Sequence, residues 1–357
     1  MKRRIRKARR KLAEHKIDAV LVTNPTNIRY LTGFASSNAY LLITASGRST
    51  FLTDGRYIEA AKKKVEADSV ELLDKESLRS VAGALKGHNV RRLGFESDHL
   101  SHARALKLIE TLGPRKCKPV SSLVESVRAV KEPGEIAAIR RAVRLAERGF
   151  RHILPLLRPD VRERDIAIEL EFFFMANGGD KLAFDPIVAF GRGSAVPHHT
   201  TGGRKLRDTD VVLLDWGVKV GGYSSDLTRT LLPPTMPRRI GDVYRVVLEA
   251  QRAAIERIRP GAKLSTPDKA ARAVIEAAGH GARFTHSLGH GIGLDVHEQP
   301  GLSSRSEGTF RAGMVVTVEP GIYVPGSFGV RIEDDVLVTA GGCRVLSRLP
   351  KRARSWR

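Results

Sequence analysis

The sequence has few cysteines, few aromatic residues and no long apolar run. Cys117 and Cys343 are its only cysteines, too few for a disulfide framework or a thiolate metal site, and they fit a reducing compartment. No apolar run approaches the roughly 18 residues of a membrane span. The basic start, MKRRIRKARRKLAEHK, lacks the apolar core of a secretory signal. We therefore expect a cytoplasmic protein with no membrane partner.

Acidic residues are scarce relative to basic ones. The formal net charge is +22, and eight of the first eleven residues are Lys or Arg. Such a balance can serve nucleic-acid binding, or it can reflect an Arg-rich proteome. The sequence has no RNA-binding signature and no aromatic residues interleaved with basic ones. We therefore expect no specific nucleic-acid partner, only weak and salt-sensitive binding to polyanions.

Alternating elements indicate two domains. In the first part of the chain, strands at 18–22, 39–44, 49–53 and 93–96 alternate with helices at 1–15, 57–67, 75–85 and 101–112, which predicts a small α/β domain. The predicted domain boundary is the run Lys131-Glu132-Pro133-Gly134, because proline suits the first turn of a helix. Beyond it, helix pairs at 135–157 with 162–176 and 241–258 with 267–278 are separated by β-rich stretches. The predicted domains are 1–128 and 131–357.

Two acids, Asp215 and Asp226, stand out in the stretch LLDWGVKVGGYSSD. The apolar run 211–214 predicts a buried strand that ends in Asp215, and glycines then mark a turn before a second β-rich run at 223–232. A hairpin would bring both acids to one place. An acid there is costly unless it is paired or binds a cation. The alternative interpretation is a turn acid and a surface acid without function.

Two later stretches add a histidine and a third acid. Segment 285–298 reads THSLGHGIGLDVHE, in which His290 is flanked by glycines that allow close backbone approach. The apolar strand predicted at 314–318 ends in Glu319. A single histidine or acid in such a place would usually be structural, but their recurrence in apolar contexts indicates a shared site.

A last stretch, VRIEDDVLV, predicts a strand over 330–338. Its period of two puts Arg331, Glu333 and Asp335 on one face. Glu333 thus joins the other candidates. The candidate metal ligands are Asp215, Asp226, His290, Glu319 and Glu333.

This ligand set indicates two metal ions. Four carboxylates cannot gather in one pocket as anions without cations, and one divalent ion needs fewer ligands. Oxygen ligands with one histidine favour manganese, cobalt, iron or zinc over copper. Two ions roughly 3.5–4 Å apart are the usual arrangement for activating a hydrolytic water. We expect two divalent ions per chain, manganese first, with cobalt, zinc or iron as alternatives.

The motifs DWG, SDLTRT, GHGIG, VEPG and RIEDD resemble those of the pita-bread metallopeptidases, the family of methionine aminopeptidase, aminopeptidase P and prolidase. NIRYLTGF and LTDGRY, near the start, resemble the creatinase-type N-terminal domain. The resemblance covers essentially the whole chain. It implies an α+β fold, a pita-bread catalytic domain with a curved antiparallel sheet and outer helices, preceded by a smaller α/β domain. The complete ligand set argues against creatinase itself, which works without metal.

The resemblance also implies site residues. It gives the five candidate ligands their metal-binding role and makes Glu319 a proton shuttle. His198, the first of the two histidines in VPHHT, matches a residue that binds substrate and helps stabilise the transition state, and His297 matches a second catalytic histidine. His286 and Arg331 match positions that line proline-selective sites. We therefore expect catalytic and substrate-binding roles for these residues.

The implied function is hydrolysis of a peptide bond before proline, near a free N-terminus. The predicted N-terminal domain disfavours methionine aminopeptidase, and the expected enzyme is an Xaa-Pro aminopeptidase that acts as a homodimer. Xaa-Pro dipeptidase (prolidase) is the near alternative, and a non-catalytic pita-bread binding module, for peptides or nucleic-acid-associated partners, is the distant one. Trp216 departs from the smaller residues common after the first ligand, which we interpret as a difference in packing.

Overall fold

The computed structural model describes residues 2–74, 77–86, 88–114 and 116–357. The chain divides into two compact units, the first running to Arg128 and the second comprising Ala129–Arg357. Within the described ranges, no helix has the length and apolar character needed to cross a membrane.

The first unit is built on a six-stranded mixed sheet. Its helices are α1 (Lys2–Glu14), α2 (Pro25–Thr32), α3 (Ile58–Lys64), α4 (Ser77–Ala84), α5 (His102–Leu112) and α6 (Glu125–Arg128). Its strands are β1 (Ala19–Val22), β2 (Ala39–Thr44), β3 (Ser49–Thr53), β4 (Ser69–Leu72), β5 (Leu93–Glu96) and β6 (Cys117–Val120). The sheet order is β4-β3-β2-β1-β5-β6; the pairs β1–β2 and β2–β3 are antiparallel and the others parallel. The predicted α/β character is confirmed.

Helix α1 shows how the basic N-terminal segment folds. Ile5, Ala8 and Leu12 recur at helical spacing and are buried, while the charged residues occupy the other faces. Three predicted helices differ in extent from the helices that the structure describes. The helix expected over 57–67 is shorter, because it ends at Lys64. Parts of the helices expected at 1–15 and 75–85 fall on Met1, Lys75 and Glu76, which lie outside the described residues.

A buried acid connects the central strands of this unit. Glu96, the last residue of β5, accepts hydrogen bonds from the backbone N–H groups of Thr23 (2.6 Å) and Asn24 (2.7 Å), which follow β1. Its other oxygen accepts from the side-chain amide of Asn27 at 2.6 Å. Burial raises the pKa of Glu96 above its ordinary value. The three donors hold the start of α2 against the sheet.

The second unit combines two helix pairs with antiparallel strands. Its helices are α7 (Pro133–Ile153), α8 (Glu163–Ala176), α9 (Arg238–Ile255) and α10 (Thr266–Ala277). Its strands are β7 (Lys181–Leu182), β8 (Ile187–Phe190), β9 (Val212–Trp216), β10 (Val218–Val220), β11 (Tyr223–Ser224), β12 (Leu227–Leu231), β13 (Gly289–Gly291), β14 (Glu298–Leu302), β15 (Val315–Val318), β16 (Gly321–Val324), β17 (Phe328–Arg331), β18 (Asp334–Thr339) and β19 (Gly342–Val345). Short 3-10 helices span Leu154–Leu156, Gly191–Ala195 and Gly281–Arg283.

Each helix pair shares a hydrophobic core with its own strands. Helices α7 and α8 pack against β8, β9 and β12, and α9 and α10 pack against β15, β16, β17 and β18. A smaller cluster also joins α7 to β15 and β18. The strands form sheets in the orders β11-β10-β7, β12-β9-β8, β14-β13-β15-β18-β19 and β16-β17. Both predicted helix pairs are confirmed, although their ends differ from the predicted bounds by a few residues.

Helix α7 begins as its sequence predicts. Pro133 occupies the first turn, and the side chain of Glu135 accepts a hydrogen bond from the backbone N–H of Glu132 at 2.9 Å. The preceding Lys131 is buried, and its Nζ lies 2.6 Å from Oε1 of Glu298. This segment therefore packs within the second unit.

Three predicted strands differ from the structure. The strand expected to end at Asp215 continues through Trp216, so the acid lies inside β9. The run expected at 223–232 is split between β11 and β12. The single strand expected over 330–338 is wrong, because β17 pairs with β16 and β18 pairs with β15. The chain changes partner at Glu333, whose N–H bonds instead to the carbonyl of Thr228 at 3.1 Å.

The Glu96 contacts give a test of the first unit. We expect Glu96→Ala to destabilise this unit by about 2–4 kcal/mol, because the backbone N–H groups of Thr23 and Asn24 lose their acceptor and the amide of Asn27 loses one of two. Hydrogen exchange read on β1 and β5 reports this unit separately from the other. Glu110→Ala, at an exposed position on α5, is the matched control. Equal protection of β1 and β5 in both variants would contradict the assigned role.

Candidate metal centre

All nine residues predicted for the site line one cavity of about 440 Å³ in the second unit. They are Asp215, Asp226, His290, Glu319, Glu333, His198, His286, His297 and Arg331. They come from segments up to 135 residues apart in the chain, since the first is His198 and the last Glu333. The fold therefore brings together the whole set that the sequence nominated.

A group of three possible ligands forms the core of the site. One ligand atom from each of Asp226, His290 and Glu333 lies within 4.8 Å of the other two. Nε2 of His290 is 3.7 Å from Oδ2 of Asp226 and 3.4 Å from Oε1 of Glu319. Asp215 and Glu319 lie outside the tight group of three but line the same cavity.

The ring of His290 presents Nε2 to the neighbouring carboxylates. Its Nδ1 lies 3.1 Å from the carbonyl oxygen of Gly291, which places the ring proton on Nδ1 and directs the lone pair of Nε2 toward the carboxylates. Burial, and then the charge of His297, lower the pKa of His290 to about 4. The imidazole is therefore neutral at pH 7 and able to donate its lone pair.

Steric constraints require glycine on both sides of His290. Strand β13 pairs with β14 on one side and with β15 on the other. A Cβ on Gly289 would lie 2.1 Å from the carbonyl oxygen of Thr317, and one on Gly291 would lie 2.2 Å from that of Gln299. Larger residues at these positions would push the neighbouring strands apart and displace His290.

The acids of the cavity carry raised pKa values. Burial, followed by repulsion from neighbouring carboxylates, raises the pKa of Asp226 and of Glu333 well above the usual range. Burial and the charge of Asp215 raise the pKa of Glu319 to about 8, although Arg331 acts in the opposite direction. Burial also raises the pKa of Asp215. Several acids close together thus need more positive charge than Arg331 supplies.

One oxygen of this cluster has no protein partner. Oδ1 of Asp215 is buried, and no hydrogen-bond donor reaches it from the described residues. Its other oxygen accepts from Nη2 of Arg331 at 2.6 Å. An orphaned carboxylate oxygen beside three further acids and a neutral imidazole suits a divalent-cation site. The residues present therefore fit a pair of metal ions.

Arg331 organises the wall of the cavity next to Asp215. Its Nη1 donates to the hydroxyl of Tyr323 at 2.8 Å, and its Nε donates to the hydroxyl of Thr228 at 3.1 Å. Burial alone would lower the pKa of Arg331, but the charges of Tyr323 and Asp215 raise it well above its usual value. The guanidinium thus stays charged and holds Asp215 in place.

Sequence reasoning missed two residues that support this wall. The hydroxyl of Thr228 donates to Oε2 of Glu333 at 2.7 Å, and Thr228 lies opposite Asp215 in the β9–β12 register. The hydroxyl of Tyr323 lies 2.9 Å from Nε2 of His286. Thr228 could have been found from its place in the motif SDLTRT. For Tyr323 the sequence offered no signal beyond its position in β16.

The two adjacent histidines have different surroundings. His198 lines the cavity, whereas Nε2 of His199 lies 3.0 Å from Oε2 of Glu163. Glu163 is buried and also accepts backbone N–H groups from Phe190 and Gly202. His199 thus belongs to a hydrogen-bond network outside the cavity lining.

The other two histidines line the same cavity as the predicted ligands. The ring centroid of His297 is 4.2 Å from that of His290. Burial, and then the charge of Arg331, lower the pKa of His286 to about 4. The ring of His297 therefore contacts that of a predicted ligand, and the ring of His286 is neutral at pH 7.

Trp216 faces away from the cavity. It is fully buried, stacks on Phe150 with ring centroids 5.0 Å apart, and donates from Nε1 to the carbonyl of Ala146 at 3.0 Å. Because side chains alternate along β9, Asp215 faces the cavity while Trp216 faces the helices. The interpretation of Trp216 as a packing residue is confirmed.

Comparison with known proteins agrees with this geometry. Residues 137–340 match the family described as metallopeptidase family M24, and residues 4–130 match the creatinase/prolidase N-terminal domain. An Xaa-Pro dipeptidase of Pyrococcus furiosus is 33% identical over 98% of this chain and 98% of its own length.

Solved structures extend the likeness to the fold. The Xaa-Pro dipeptidase from Bacillus anthracis superposes with a TM-score of 0.95, at 38% identity over 99% of both chains. The X-Pro aminopeptidase from Thermotoga maritima has a TM-score of 0.87, at 32% identity over 97% of this chain and 99% of its own. The predicted pita-bread fold with a creatinase-type N-terminal domain is confirmed. With this match of sequence, fold and site, the chain belongs to metallopeptidase family M24 and is a hydrolase.

Proposed function

We propose that this metallopeptidase hydrolyses the bond between a residue Xaa and a following proline, with Xaa-Pro dipeptides as its substrates. The observation that carries the proposal is the cavity in which Asp226, His290 and Glu333 converge beside His198 and His286. The dipeptidases from Bacillus anthracis and Pyrococcus furiosus, similar over nearly their whole length, support the substrate class. The cavity volume lies within the range of small-ligand pockets.

Cleavage of Xaa-Pro bonds at the start of longer peptides, the activity expected from the sequence, stays the second candidate. The Thermotoga maritima X-Pro aminopeptidase supports it, because that protein aligns over nearly all of this chain. The intact set of acids and histidine weighs against a non-catalytic binding module.

We assign the metal ions to Asp215, Asp226, His290, Glu319 and Glu333. The raised pKa values of the acids and the unpaired Oδ1 of Asp215 support this assignment. We expect two ions, manganese first, with cobalt, zinc or iron as alternatives. When bound, such ions lower the pKa of a hydrolytic water and polarise a carbonyl group.

The side chains of the cavity supply proton transfer, oxyanion stabilisation and substrate binding. Glu319, at the edge of the ligand group, takes a proton from the attacking water and passes it to the leaving nitrogen. His198 and His297 donate hydrogen bonds to the oxygen on which negative charge develops. His286, held by Tyr323, and Arg331 form the wall that receives the proline side of the substrate.

We further propose domain bounds of 1–128 and 131–357. The two compact units and the two matched family segments support a division close to these positions. Location in the cytoplasm and assembly as a homodimer stay predictions.

The metal assignment predicts that one ligand variant loses both activity and bound metal. We expect Glu333→Gln to lower kcat/KM more than about 100-fold, since a direct ligand should matter more than an outer partner, which costs 10–100-fold. Elemental analysis should find two divalent ions in the unaltered protein and fewer in the variant. Glu307→Gln, at an exposed position, is the control. Full activity of Glu333→Gln, or of chelated protein without metal, would contradict the assignment.

The paired histidines predict contrasting variants. We expect His198→Ala to lower kcat by about 10²–10³-fold, as for loss of one oxyanion donor, with metal content unchanged. His199→Ala should leave kcat nearly unchanged, because its ring contacts Glu163 outside the cavity lining. Steady-state kinetics with metal analysis tests both. The reverse order of effects would show that the roles are assigned to the wrong histidine.

The substrate class is tested with matched peptides. We expect Ala-Pro and Leu-Pro to be cleaved with a higher kcat/KM than Ala-Pro-Gly and Leu-Pro-Gly, and Leu-Ala to be a poor substrate. A preference for the tripeptides would favour the aminopeptidase. Cleavage of Leu-Ala as fast as Leu-Pro would remove the proposed proline selectivity while leaving a metallopeptidase.

A further inference from the structure

Six arginines line a second cavity of about 480 Å³, which shares no lining residue with the metal centre. They are Arg140, Arg144, Arg148, Arg151, Arg344 and Arg348. The first four lie along α7 at a spacing that places them on one face of the helix. The other two come from β19 and the segment after it. We call this feature the arginine cavity.

Glu147, the one acid in the lining of the arginine cavity, is already paired with groups of the protein. It is buried; its Oε1 accepts a hydrogen bond from the backbone N–H of Arg348, and its Oε2 lies 3.5 Å from Nη2 of Arg151. Its charge therefore ties the two walls together. The lining keeps a formal excess of positive charge, with six arginines against one glutamate.

Most of these arginines have no hydrogen-bond or ion-pair partner for their guanidinium group among the described residues. Arg148 donates to the side chain of Asn177 and lies 5.6 Å from the ring of Phe173. Across the described ranges, no hydrogen bond or ion pair engages the guanidinium groups of four of them. These are Arg140, Arg144, Arg344 and Arg348.

Such an arrangement lowers the stability of the helix slightly, and a bound anion would offset that cost. Like charges four residues apart on a helix repel each other, as Arg140, Arg144 and Arg148 do here. The planar guanidinium group presents two parallel N–H donors that match two oxygens of a phosphate. Val345 and Leu346, both half-buried, add apolar surface to the lining. The chemistry thus favours a phosphate-bearing ligand.

We propose that the arginine cavity binds a compact anion that carries two or more phosphate groups. Its volume lies in the range of small-molecule pockets, and guanidinium groups reach it from two walls. A nucleic-acid strand is instead bound along an extended basic groove with stacking aromatic residues, and no aromatic side chain lines this cavity. Inorganic polyphosphates and nucleoside polyphosphates share the required chemistry.

The test is isothermal titration of the metal-loaded protein with inorganic triphosphate, adenosine triphosphate and orthophosphate at matched ionic strength. We expect both triphosphates to bind much more tightly than orthophosphate. Tighter binding of adenosine triphosphate would identify the nucleoside form, and equal or tighter binding of inorganic triphosphate the inorganic form; either supports the proposal.

Double arginine variants test whether the triphosphate binds in the arginine cavity. Arg144→Gln/Arg344→Gln removes one exposed guanidinium from each wall and should weaken triphosphate binding about 100-fold, because each charge-assisted contact contributes about tenfold. Arg252→Gln/Arg257→Gln, at exposed positions in and after α9, removes the same charge elsewhere and should change affinity by less than about twofold. Arg140→Gln/Arg348→Gln provides a second pair if the first fails to fold.

Three results would overturn the proposal. One is an equal loss of triphosphate affinity in the cavity variant and in the control variant, which would mean that the net charge of the protein alone attracts the ligand. Another is unchanged affinity in the cavity variant, which would place the phosphates elsewhere, for example at the metal centre; metal analysis after titration checks for chelation. The third is tighter binding of a 15-nucleotide oligothymidylate than of either triphosphate.

Discussion

The burial of several carboxylates in one cavity is the constraint on which the second unit depends. Asp226 and Glu333 repel each other, and burial already disfavours the charged form of each. A fold that gathers such groups needs cations, donors and rigid backbone around them. Thr228 donates to Glu333, Arg331 donates to Asp215, and the β9–β12 pairing keeps Asp215 in position. Divalent ions bound in the cavity would supply the remaining positive charge.

Backbone geometry determines how those side chains meet. Strand β13 lies between two neighbours that leave no room for a Cβ at Gly289 or Gly291, so His290 can enter the cavity only with glycine on both sides. The change of partner between β17 and β18 frees Glu333 from regular pairing. The alternation along β9 then directs Asp215 and Trp216 to opposite sides. The site and the core are thus built from the same strands.

The basic charge of the chain has several distinct uses. Arg331 is buried and structural to the site, whereas Arg9 donates to the carbonyl groups of Thr44 and Gly47 and holds the β2–β3 turn. The arginine cavity is different again, because most of its guanidinium groups have no partner among the described residues. Net charge by itself therefore says little about function until each arginine is placed.

The sequence by itself determined the local elements and the candidate ligands. Apolar periodicity and turn residues act over a few neighbouring positions, so the bounds of β2, β3 and β5 and the apolar stripe of α1 could be predicted. The nine residues nominated from the sequence all line the metal cavity, although their roles stay predictions.

Only the tertiary structure decided that the strand expected over 330–338 breaks at Glu333 and that Tyr323 joins His286 to Arg331. It also brought Arg344 to the helix that carries Arg144, 200 residues earlier in the chain. These features depend on which distant segments pair and pack, and local spacing carries no information about that choice.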